Sequence, residues 1–121
     1  MSTKQLEQEL ESWQGKLNQK EILNRIFDLL SKDPSGEEQE LLENWLMISS
    51  RADPDRVANY WKSQLENGSK VRQNTALTFI GVLARRNLTA KEILRKFFET
   101  VDLTDPYWEG IKERYDDETY K

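Results

Sequence analysis

The sequence predicts an all-α protein. The expected form is a compact bundle of six to seven short antiparallel helices, helical-repeat-like in one version, around a central apolar helix near 70–86. Three observations carry this. Apolar residues recur three and four positions apart along nearly the whole chain, no run of six or more alternates as a half-buried strand would, and Asp-Pro or capping pairs punctuate the pattern at helix-length intervals.

Leu6, Leu10, Trp13 and Leu17 are spaced 4, 3, 4 and predict a helix over about 3–14, within an amphipathic N-terminal segment 1–17. The seam is narrow and its surroundings are charged (Glu7, Glu9, Glu11, Lys16), as in a coiled coil. It needs a covering surface, either the rest of the chain or a second molecule, so these four residues are a candidate oligomer or partner seam and a homodimer is one expectation. Asn18 and Glu21 have N-cap spacing and open a second helix over 19–31, with Ile22, Leu23, Ile26, Phe27, Leu29 and Leu30 as its stripe.

The turn at Asp33-Pro34 leads to Ser35 and Glu38, a capping-box pair, and a third helix over 36–49 containing Leu41, Leu42, Trp45, Leu46 and Ile48. Asp53-Pro54 starts a fourth over 54–66 (Val57, Tyr60, Trp61, Leu65), since proline at the first helical position lacks only an N–H that would be orphaned anyway. Asn67-Gly68 stops it. The fifth, 70–86, is apolar on nearly every side over 75–84; such a helix is normally surrounded, which places it and Phe79 at the centre, with Gly81 admitting a close neighbour. Thr89 and Glu92 have cap spacing for a sixth over 90–101 (Ile93, Leu94, Phe97, Phe98, Val101). Asp105-Pro106 starts a seventh over 106–115, where Tyr107 or Trp108 aligns with Ile111 and Tyr115, and the acidic tail 116–121 is expected to fray. The whole, 1–121, reads as a single helical domain.

Val71-Arg72, followed by Thr75-Ala76, Phe79-Ile80-Gly81 and Leu83, resembles the second helix of a HEAT-type repeat. The likeness spans about 14 residues and occurs once, with no period of ~40 residues elsewhere. It implies a helical scaffold and no activity.

Composition narrows the chemistry. The chain has no His and no Cys, which removes Ser-His-Asp triads, imidazole ligands, thiolate nucleophiles and disulfides. Glycines at 15, 36, 68, 81 and 110 are too scattered for a phosphate-cradling loop. Glu40 and Glu43 share a helix face and could hold a hard cation, but acidic residues early in a helix are more simply solvated partners of its dipole. The expectation is therefore no catalytic residue, no metal, no cofactor and no enzyme. Apolar residues make up 36% of the chain, or about 40% with the five glycines counted, against ~45–50% on that count in ordinary domains, so the core is thin. The four tryptophans (Trp13, Trp45, Trp61, Trp108) all fall on apolar stripes. The longest apolar-rich stretch, 76–84, is far short of the ~20 residues that span a bilayer. A soluble, cytoplasmic protein is expected.

Charge is distributed unevenly. Residues 67–98 hold Lys70, Arg72, Arg85, Arg86, Lys91, Arg95 and Lys96 against Glu92 alone, a balance of +6, whereas the whole chain carries −4. Arg85, Arg86, Lys91, Arg95 and Lys96 are expected to converge at one corner; Lys70 and Arg72 lie roughly 22 Å away, about fifteen residues at ~1.5 Å each. Some of this charge has local partners, with Glu92–Lys96 and Arg95–Glu99 at i,i+4. The expected function is a non-enzymatic protein–protein interaction module (adaptor, assembly factor or regulator) that meets the acidic face of a protein partner through this basic corner, with all seven cations, Lys70 and Arg72 included, as candidate partner-binding residues. The alternative is a nucleic-acid-associated accessory subunit that contacts phosphates with the same side chains, though an overall acidic chain argues against it.

Overall fold

Polar caps decide where the helices begin. In the computed structural model, which describes the backbone of residues 3–119 and the side chains of residues 3–113, the chain is 80% helical, with seven helices and no strand among the described residues. They are α1 (Thr3–Trp13), α2 (Gln19–Leu30), α3 (Gly36–Ile48), α4 (Pro54–Asn67), α5 (Lys70–Ala84), α6 (Leu88–Thr100) and α7 (Pro106–Thr119). Asn18 Oδ1 accepts the Glu21 N–H at 2.9 Å. Ser35 Oγ accepts the Glu38 N–H at 3.4 Å and donates to the Glu38 carboxylate at 3.0 Å, completing the capping box. Ser69 Oγ caps α5 through the Arg72 N–H at 3.3 Å, and Asp105 caps α7 through the Tyr107 N–H at 3.0 Å.

Three local expectations need correction. Helix α6 starts at Leu88, because Asn87, a stronger cap than Thr89, accepts the Ala90 N–H at 2.8 Å. A short 3₁₀ turn, Ser50–Ala52, occupies what reads as plain loop. Helix α7 runs on to Thr119, so the backbone of 116–119 is helical; the side chains of that stretch, with Tyr115 and all of 120–121, lie outside the described residues.

Contacts cluster into two compact units, residues 1–53 and 54–121. In the first, α1 packs on α3, and α2 packs on α3 and on the 3₁₀ turn. Leu6, Leu10 and Trp13 are buried and Leu17 is half-buried, so most of the first seam is out of water within one chain. The Arg25 guanidinium lies over the Trp13 indole, 5.4 Å from the ring centroid. Glu43 is not on the solvated face: it is 2% exposed, on the side of α3 that also buries Leu42 and Leu46. Asp33 takes a left-handed φ of 56° just before Pro34, a conformation aspartate tolerates better than most L-residues.

In the second unit α5 is the centre, packed against α4, α6 and α7. Ala76, Leu77, Ile80, Gly81, Leu83 and Ala84 are buried along it. It is not covered on every side, however: Val71, Thr78 and Val82 form an exposed ridge at helical spacing. Phe79 is half-buried and stacks on Trp61 with ring centroids 4.9 Å apart; Trp61 is the side chain that is fully enclosed. The turn from α4 to α5 depends on Gly68 for room rather than for backbone freedom, since its φ is not positive. A Cβ there would lie 2.6 Å from the Gln64 carbonyl oxygen and 2.8 Å from Arg72 Cβ.

Two predictions follow from this packing. Trp61→Ala should lower stability by roughly 3–5 kcal/mol, and Phe79→Ala by clearly less, in urea unfolding curves followed by far-UV circular dichroism; equal losses would contradict the enclosed position of Trp61. Gly68→Ala should cost about 1–3 kcal/mol by overpacking, whereas Gly110→Ala, where a Cβ meets nothing within 4 Å on exposed α7, should raise stability by about 0.5–1 kcal/mol. Thermal melts of the two variants should shift in opposite directions.

Candidate functional site

The seven cations of the basic segment differ in their local bonds. At the start of α5, Lys70 Nζ pairs with Asp105 at 3.2 Å and sits 5.3 Å from the Tyr107 ring centroid. Arg72 donates to Gln64 Oε1 at 3.0 Å and 3.3 Å and lies over Trp61 at 6.0 Å. Both side chains therefore hold α5 against α7 and α4, a structural role that their unfavourable position at a helix N-terminus conceals in the sequence. On α6, Arg95 is bonded to Glu92 and to Glu99 at once. These carboxylates hold its guanidinium well above its usual range, and the Arg95 hydrogen bond draws Glu92 below its own. Lys96 makes no salt bridge to Glu92, because guanidinium binds carboxylate with two parallel donors, but its charge adds to the lowering of the Glu92 pKa.

The remaining four cations are free of such bonds. Arg85 and Arg86 are exposed just beyond the end of α5, and Lys91 and Lys96 lie on α6; none of the four makes a salt bridge among the described residues. Lys91 and Lys96 border a groove of about 1040 Å³ between α4 and α6. One wall is the α4 row Asn59, Lys62 and Glu66, and the other is the α6 row Thr89, Ile93, Lys96 and Thr100. Both rows have three- and four-residue spacing, so each is one face of its helix. Leu65 and Phe97 contribute apolar surface, and the Phe97 ring is supported edge-on by Trp108 of α7 at 5.4 Å. Leu88, also lining the groove, is 80% exposed.

Of the groove's lining, the charge pattern singles out Lys91 and Lys96 but not Lys62, Leu65, Leu88, Ile93 or Phe97. A signal was present. Ile93 and Phe97 widen the apolar stripe of α6 beyond the row Ala90, Leu94 and Phe98 that is buried.

The two walls are fixed to each other at their starts. Asn87, the α6 cap, donates from Nδ2 to Asp55 Oδ1 at 2.9 Å in the first turn of α4. Hydrogen bonds from Asn87 and then Thr89 hold the Asp55 carboxyl below its ordinary range. Among the described residues no group of three or more acidic side chains is placed to hold a metal ion.

Asn87→Ala should remove the α6 cap, costing about 1 kcal/mol, and let the Asp55 pKa rise toward the usual carboxylate value. A depressed carboxylate contributes stability above its unfolded pKa and loses it as pH falls through the folded one. That part of the acid dependence should vanish in the variant, read by NMR titration of Asp55. An unchanged Asp55 titration would refute the link.

No protein-family model, curated protein or solved structure matches this chain.

Proposed function

We propose that this chain is a non-enzymatic protein-interaction module, an adaptor, assembly factor or regulator, that docks an acidic protein partner at the basic side of its second unit. The observation that supports this reading is the coincidence of cations without a salt bridge with apolar surface: Lys91 and Lys96 border the α4/α6 groove, and Arg85 and Arg86 stand exposed directly before α6. Charges of this kind steer association and select partners more than they add affinity.

The nucleic-acid alternative uses the same side chains. It is the weaker reading because Lys70, Arg72 and Arg95 are already engaged, which leaves a sparse set of cations for phosphates and an apolar groove that phosphates would not fill. A homodimer through the first seam is not part of the proposal, because Leu6, Leu10 and Trp13 are already buried in a single chain. Among the described residues no helix is long and apolar enough to cross a membrane, and the cytoplasm is the proposed setting.

The test is capture from source cells at low salt, with and without nuclease, using wild type and a variant carrying Arg85→Glu, Arg86→Glu, Lys91→Glu and Lys96→Glu. Exposed charges of this kind change stability by within about 0.5 kcal/mol each, so the fold should persist. A protein partner should survive nuclease and be lost with charge reversal. The difference should shrink between 0.1 and 1 M salt, where the Debye length falls from ~10 to ~3 Å. Nuclease-sensitive recovery would favour the alternative, and binding indifferent to charge reversal would sink both.

A further inference from the structure

The geometry points to the α4/α6 groove as the seat of one acidic amphipathic helix from a partner protein. This inference rests on the interaction reading above and adds the site, form and chemistry of the occupant.

The form follows from the walls. Two helix rows at three- and four-residue spacing enclose the groove, and ridges of that kind receive a third helix better than any other element. An extended strand would find no edge to pair with, because the backbone groups of α4 and α6 are spent within their own helices. Along α6 the lining runs from Leu88 to Thr100, about 18 Å at roughly 1.5 Å per residue, which accepts a little over three turns of helix.

The chemistry follows from the charges. Lys62 is matched by Glu66 at 3.9 Å, and Glu92 is held by Arg95, so both carboxylates in the lining are spoken for. The ions without a salt bridge are Lys91 and Lys96, both positive. Leu65, Ile93, Phe97 and the exposed Leu88 ask for apolar anchors between acidic flanks. The occupant is thus a helix with apolar residues at i, i+3 or i+4, and i+7, bordered by Asp or Glu.

The test is selection of a displayed random library of segments about 16 residues long, roughly four turns, on the immobilised full chain. Enriched segments should carry net negative charge and helical apolar spacing. They should lose at least about tenfold in affinity, the loss of one interface anchor, against Ile93→Gln and against Lys96→Glu. Lys96 is exposed, so its variant keeps the test decisive where Ile93→Gln fails to fold. Arg85→Glu with Arg86→Glu should matter less. Enrichment of neutral or basic segments, or of none, overturns the inference. Acidic segments that ignore Ile93→Gln and Lys96→Glu but require Arg85 and Arg86 also overturn it, while leaving the protein-interaction reading in place. Full competition by a single-stranded DNA of similar length would remove both.

Discussion

Covering α5 is the constraint on which the second unit depends. Its apolar surface is too wide for one neighbour, so α4, α6 and α7 must each give it a face. Trp61 of α4 is fully buried and stacks on Phe79 of α5, and Gly68 is required because α4 and α5 meet too closely for a Cβ at the turn. Once α6 commits Ala90, Leu94 and Phe98, the neighbouring Ile93 and Phe97 are left only half-covered. The groove is therefore a by-product of the same packing that stabilises the fold. Trp108 props its Phe97 side, and the Asn87–Asp55 bond ties the two walls at one end.

Within this frame the basic charges divide into two kinds. Those at the start of α5 act as fasteners: Lys70 reaches Asp105, and Arg72 reaches Gln64 across the ring of Trp61. Arg95 is saturated by two carboxylates on its own helix. Exposed pairs of this sort contribute little to stability, with a typical range of 0–1 kcal/mol. Their larger effect is to remove charge from the surface available to a partner. What remains unpaired is displaced toward the start of α6 and the groove.

Much of this architecture is legible in the sequence because caps and apolar spacing are local. Asn18, Ser35, Pro54 and Pro106 mark helix starts that are found at those residues. The failures come from competition and from tertiary context. Asn87 and Thr89 both offer a cap; Asn87, the stronger one, takes it, and the sequence does not show that Asp55 then accepts from both side chains. Glu43 looks like one more acidic residue on a solvated face, yet α3 turns it inward. Spacing shows that Ile93 and Phe97 widen the apolar stripe of α6, but not that they stay half-covered, since an apolar residue on α6 looks the same whether α5 or nothing covers it. Nor does the pattern of cations along the chain reveal which of them meet a carboxylate 35 residues away, as Lys70 meets Asp105.

The missing histidine gives the charged surface a further property. Asp55, Glu92 and Asp102 are all held below the ordinary carboxylate range by hydrogen bonds from Asn87, Arg95 and Thr104, so they stay ionised further into acid. The guanidinium of Arg95 is held in its charged form from the other side. With no imidazole in the chain, no side chain has an unperturbed pKa between pH 5 and 8. Asp55, Glu92 and Arg95 therefore keep their charges across that interval, and ionic strength is a solution variable that modulates a charged partner's approach.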